Sequence, residues 1–251
     1  MMNRLLLLIS ILFYFQASAQ DSIRAYEYKK YVDLAISGKS KQLSIAGSWV
    51  QMFGFGKQKQ QFKIGYGVRF TSYFGANRYY TTAPAEYINP VQTIETIATE
   101  PIEANIDTIA IQSLQVNALN LSINLQYTIK NRLDIGFNID AIGFSFGRKQ
   151  QTTVISSSFD PGQSPVEGAS PTSFNLLLTS NNDLGSLNSE LFARYWLSPR
   201  FAIRGGFTFL FTEYTTDEEL SFNNGAIVND RYRFKSGLMM VAVTWRPFKK
   251  D

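Results

Sequence analysis

Residues 117–147, NALNLSINLQYTIKNRLDIGFNIDAIGFSFG, decide how the chain is read. From Leu119 to Ile129 each odd position is apolar (Leu119, Leu121, Ile123, Leu125, Tyr127, Ile129), and each even one is small or polar (Asn120, Ser122, Asn124, Gln126, Thr128). Side chains that alternate with period two stand on opposite faces of a strand. After a tight turn at Lys130, Asn131 and Arg132 the alternation resumes, with Leu133, Ile135, Phe137 and Ile139 against Asp134, Gly136, Asn138 and Asp140. The two runs read as one antiparallel hairpin with an apolar face and a face that carries carboxylates. The apolar face is unbroken over the roughly 9 to 11 residues that a tilted strand needs to cross a bilayer.

The same pattern recurs on both sides. Toward the N-terminus lie 26–36 (Val32, Leu34 and Ile36 on one face), a turn at Ser37-Gly38-Lys39-Ser40, then 43–55, a turn at 56–60, and 62–74. Toward the C-terminus lie 187–197, the turn Ser198-Pro199-Arg200, 201–211 and 232–245. The expectation is all-β: a closed antiparallel up-and-down transmembrane β-barrel of eight strands, with ten as the alternative if 76–116 holds an extra hairpin. Long external loops are expected near 76–116 (broken by Pro84, Pro90 and Pro101), 148–184 and 215–230. Short turns alternating with long loops are the asymmetry of bacterial barrels.

Charge decides which face points inward. The polar face collects Lys63, Arg69, Asp134, Asp140, Glu190, Arg194, Arg204 and Arg246. A soluble carrier barrel would turn its apolar face inward. Here the mixed-sign charges are expected inside as a lumen network, where they can pair across strands, and the bulky set faces lipid.

The first 19 residues have the form of a secretory signal: Arg4, an apolar run from Leu5 to Phe15, and Ala17-Ser18-Ala19 as the cleavage site. Residues 20–251 are then a single barrel. No later segment approaches 18 uninterrupted apolar residues, so a membrane-spanning helix is not expected. There is no cysteine for a disulfide framework. Aromatics make up 14% of the chain against 18% charged residues, a balance that suits strands and aromatic girdles. The net charge is +4, but basic residues are scattered among acidic ones, so no nucleic-acid partner is expected.

Chemistry is mostly excluded. With no histidine, Ser-His and Asp-His mechanisms fall away. Asp134 and Asp140 share a face but stand about 20 Å apart along a strand, too far to share a proton or a water. Asp217-Glu218-Glu219 and Asn223-Asn224 read as a solvated loop rather than a metal site. No catalytic residue, metal or cofactor is expected. One charge pattern is informative: Arg78, Arg148, Lys149, Arg231, Arg233 and Lys235 fall where strands leave the external side of the lipid band, forming a candidate rim for lipopolysaccharide headgroups.

The segment 235–248, KSGLMMVAVTWRPF, resembles the C-terminal assembly signal of small outer-membrane β-barrel families, the OmpX-like and OmpA-type transmembrane domains. Here Lys249-Lys250-Asp251 follow the late aromatic Phe248. The resemblance implies a place in the outer membrane, engagement of the last strand by the barrel-assembly machinery, and contact with outer-membrane lipid. It also implies a non-enzymatic structural or surface-interaction role through the external loops. The alternative is a narrow porin-like channel for small or apolar solutes.

Overall fold

A computed structural model describes residues 29–55, 61–84, 87, 105–130, 132–155, 165–178, 182–222 and 227–247. The expected leader at 1–19, the turn expected at 56–60, the middle of the first expected loop and Phe248 lie outside them. The strands are β1 (Lys30–Lys39), β2 (Gln42–Phe55), β3 (Phe62–Thr82), β4 (Thr108–Lys130), β5 (Leu133–Gly147), β6 (Gln150–Ile155), β7 (Val166–Pro171), β8 (Phe174–Leu176), β9 (Leu187–Trp196), β10 (Phe201–Phe222) and β11 (Ile227–Trp245).

Eight of them close a ring. Antiparallel ladders run β1–β2–β3–β4–β5–β9–β10–β11, and β11 returns to β1 from Val32↔Trp245 to Gly38↔Met239. A closed ring leaves no strand edge unpaired, the condition for a sheet in lipid. The spanning strands number eight, as the alternation predicts, and among the described residues no fifth spanning hairpin is present.

Sidedness follows the alternation. Leu121, Ile135 and Phe207 expose 51%, 45% and 50% of their surface, whereas Asp140 and Arg204 expose 0% and 4%. Large apolar side chains such as Leu34, Tyr66, Ile123, Ile203, Met239 and Val241 cover the outer wall. Aromatics gather toward its short-turn end at Phe55, Phe62, Tyr127, Phe201 and Trp245. Inward glycines have a steric reason: a Cβ on Gly65 would lie 2.1 Å from the Gln51 carbonyl oxygen, and one on Gly67 2.7 Å from that of Trp49.

The external half differs from the expectation. β3, β4, β10 and β11 are 21, 23, 22 and 19 residues long, about twice what crossing requires. The segments expected as loops at 76–116 and 215–230 supply much of this length, and the one expected at 148–184 supplies β6, β7 and β8. The β1–β2 hairpin ends at Ser40 and Lys41, where Lys41 takes a left-handed φ of 57°. Above it β11 pairs directly with β3 (Tyr232↔Thr82). β6 and β7 pair with each other and with β4 and β10. The eight-stranded ring therefore continues outward as a six-stranded one, β3–β4–β6–β7–β10–β11.

The two rings meet where the alternation changes phase. In β3 the inward residues are Arg69, Thr71 and Tyr73 below, but Tyr80 and Thr82 above. In β4 they are Val116 and Leu114 below, but Ile111 and Ile109 above. Between these sets sit Asn77, with a φ of 52°, and the exposed pair Gln112 and Ser113. Shifting the phase by one residue exchanges the two faces of a strand.

Candidate functional site: the lumen and the external rim

Strand alternation delivers four carboxylates (Asp33, Asp134, Asp140, Glu190) and four cations (Lys63, Arg69, Arg194, Arg204) to the interior of the eight-stranded ring, all buried. Seven of these alternate in sign along one chain of contacts. Asp134 meets Arg194 at 3.9 Å, Arg194 meets Asp33 at 3.2 Å, and Asp33 meets Arg204 at 3.2 Å. Arg204 meets Glu190 at 3.0 Å, Glu190 meets Arg69 at 3.7 Å, and Arg69 meets Asp140 at 3.4 Å. Lys63, inward on β3, lies level with Gln126, whose Oε1 accepts from Arg194 at 3.0 Å.

The remaining valences are largely satisfied, which buried charges need if they are not to destabilise the fold. Trp196 Nε1 and Thr128 Oγ1 donate to Asp134 at 2.8 and 2.7 Å. Thr244 donates to Asp33 at 2.5 Å, and Asn120 to Asp140 at 2.8 Å. Arg69 also donates to the Asn138 side chain. The Arg194 and Arg204 guanidinium carbons stand 4.0 and 4.4 Å from the ring centroids of Tyr31 and Phe192, a cation–π geometry. The contacts cross the tube: β1 to β9 through Asp33 and Arg194, β3 to β9 through Arg69 and Glu190, and β1 to β10 through Ser37 and Thr208 at 2.7 Å.

Asp33 joins two arginines in this chain, and the sequence reading did not gather it. Its signal was available, since Val32, Leu34 and Ile36 alternate around it. Arg246, also expected in the lumen network, follows the last residue of β11 and is half-buried at the short-turn end, its backbone N–H bonded to the Arg200 carbonyl.

Above the ionic chain the interior turns apolar. Tyr73, Tyr80, Ile109, Ile111, Leu114, Val116, Val154, Leu210, Tyr214, Tyr232 and Leu238 form one buried cluster that starts at the top of the eight-stranded ring and continues through the six-stranded one. Tyr80 and Tyr214 pack edge to face at 5.4 Å, and Tyr80 hydrogen-bonds Thr212 across the interior at 2.6 Å.

At the external rim, the six basic residues separate into three groups. Arg231 and Arg233 converge on buried Glu213: Arg231 Nε reaches Oε1 at 2.8 Å and Arg233 Nη2 reaches Oε2 at 2.7 Å. Both also donate to the Asp183 carbonyl. Gly185 N–H donates to Glu213 Oε1 at 3.3 Å, so the pair clamps residues 183–186 onto the wall. Arg233 is thereby buried and does not line an open rim, because Glu213 lies directly opposite it on the outward face of β10. Arg78 donates to the Ser40 carbonyl at 2.8 Å and holds the β1–β2 tip. Arg148, Lys149 and Lys235 are exposed, and Lys149 pairs with Asp217 at 2.5 Å.

A closed ring with apolar residues on its outer wall and ions within has one physical reading. The fold is that of a transmembrane β-barrel. No protein-family model matches the sequence, and no curated protein matches it significantly. Solved structures to which the barrel is similar include Neisserial surface protein A (TM-score 0.33, 10% identity, covering 86% of this chain and 94% of that one). Ail of Yersinia pestis in a phospholipid bilayer nanodisc is another (TM-score 0.31, 9% identity, 87% and 99%). A Pseudomonas aeruginosa FadL homologue is a third (TM-score 0.19, 10% identity, 81% and 67%). The reading of this barrel rests on its own ladders and faces.

Proposed function

We propose that this chain is a non-enzymatic barrel of the bacterial outer membrane that acts at the cell surface and in its lipid surroundings rather than as a conduit. The observation that carries the reading is the filled interior: an ionic chain bridges the walls through the eight-stranded ring, and an apolar core occupies the six-stranded ring above it. An eight-stranded barrel is just wide enough for its own side chains. With the interior filled, function falls to the projecting ring, the external loops and the outer wall. Exposed Arg148, Lys149 and Lys235 would meet anionic lipid headgroups such as those of lipopolysaccharide. β11, which closes the ring against β1, is the strand that the assembly machinery would engage.

Planar-bilayer recording tests the proposal. The refolded barrel is expected to stay electrically silent over tens of minutes. Steady unit steps would favour the narrow-channel alternative.

A further inference from the structure

We propose that the outer wall carries a specific site for one acyl chain of a net-anionic lipid of the outer leaflet that bears a phosphomonoester, at a groove beneath Lys235. This rests on the reading of exposed rim cations as lipid contacts and narrows it to one place. A hollow of about 350 Å³, within the range of small-ligand pockets, opens on the wall where β9, β10 and β11 run side by side. Leu177, Leu187, Phe209, Phe211 and Gly237 are among the residues that line it. A Cβ on Gly237 would meet only the Phe209 ring, at 3.9 Å. Packing within the chain therefore does not demand glycine there, in contrast to Gly65 and Gly67. What the missing side chain leaves is open space beside Phe209.

The head of the occupant is set by charge and height. Met239 and Val241 continue the exposed apolar face below Gly237. Lys235, the next residue outward on that face of β11, is exposed and stands opposite Phe211. Apolar lining thus gives way to a cation at the level where the lipid-facing belt ends, which suits a tail below and a phosphate above. Glu213 holds Arg231 and Arg233, and Asp183, whose Oδ1 accepts from the Leu178 N–H at 2.8 Å, is the carboxylate whose charge reaches Lys235. A larger hollow of about 640 Å³ around Ile36, Ala193, Gly205 and Val241 lies in mid-belt. Its one charged lining residue, Arg204, turns its guanidinium inward to Asp33 and Glu190. That hollow can accept acyl chains but has no means to select a headgroup.

Native mass spectrometry of the detergent-solubilised barrel tests the site, with diphosphoryl lipid A and phosphatidylcholine as probes and the heat-dependent gel shift as the folding control. The wild type is expected to hold one lipid A under activation that strips phosphatidylcholine. Lys235→Gln is expected to weaken retention by roughly two- to fivefold, the weight of one exposed ionic contact, and Gly237→Phe to abolish it. Gly205→Phe, which fills the other hollow, is expected to leave it unchanged. If Lys235→Gln and Gly237→Phe both retain lipid A like the wild type while loss follows Arg148→Gln with Lys149→Gln, this site is wrong and the general rim reading survives. If the wild type holds lipid A no better than phosphatidylcholine, both fall.

Discussion

The two halves of this barrel share one continuous wall, yet opposite chemistry fills them. In the eight-stranded half Phe207 and Val241 face out and Arg204 and Asp140 face in. In the six-stranded half Ile111, Val154, Tyr214 and Tyr232 face in, while Gln151 and Thr153 face out. The difference teaches that the surrounding solvent, rather than the ladder, decides which face of a strand is oily. Within lipid, apolar surface gains nothing by turning inward, so the interior takes the polar groups. Above it, water surrounds the wall and the hydrophobic effect returns apolar residues to the core. The phase change at Asn77 and Gln112 lets a single pair of strands obey both rules.

The comparison can be strained at either end. The largest effect is expected from Arg194→Leu, which deprives Asp33 and Asp134 of a shared cation. Breaking a buried pair on one side costs about 3–5 kcal/mol, read as a lower urea midpoint of unfolding in liposomes. A variant as stable as the wild type would mean that the ionic chain does not hold the lower half together. Ile111→Ala, in the apolar core of the upper ring, is expected to cost about 2–5 kcal/mol through lost packing and a cavity. Proteolysis of the β6–β7 hairpin in intact vesicles should accelerate with it. The smallest effect belongs to Lys149→Gln. Its ion pair with Asp217 is half-exposed on both sides, so the loss should stay below about 0.5 kcal/mol. A larger loss would show that the pair holds β7 against β10.

Much of the lower half was legible because lipid and a filled lumen impose strict alternation: Leu119 to Ile129 and Phe201 to Phe211 declare both strand and face. The contacts within the lumen were not legible in the same way. That Arg69 meets Asp140 and Glu190 depends on ring order, which brings β3, β5 and β9 around a common interior. The upper half was hidden for a physical reason. Outside the membrane the outward residues become mixed, with Gln151 and Thr153 beside Tyr79 and Ile155, and the phase slips at Asn77, so 76–116 reads as irregular although β3 runs to Thr82 and β4 starts at Thr108. Arg231 and Arg233 were read as rim because Glu213, two positions beyond Phe211 on the same face of β10, was not connected with them.

The boundary between the two halves can be located directly, because the chain has no cysteine of its own. Val241→Cys and Thr153→Cys each receive an environment-sensitive fluorophore, and the barrels are reconstituted into vesicles whose acyl chains carry bromine. The account predicts strong quenching and a blue-shifted spectrum at 241, with an unquenched, water-like spectrum and access to aqueous iodide at 153. A water-exposed probe at 241, or equal quenching at both positions, would contradict the placement of the eight-stranded ring in lipid.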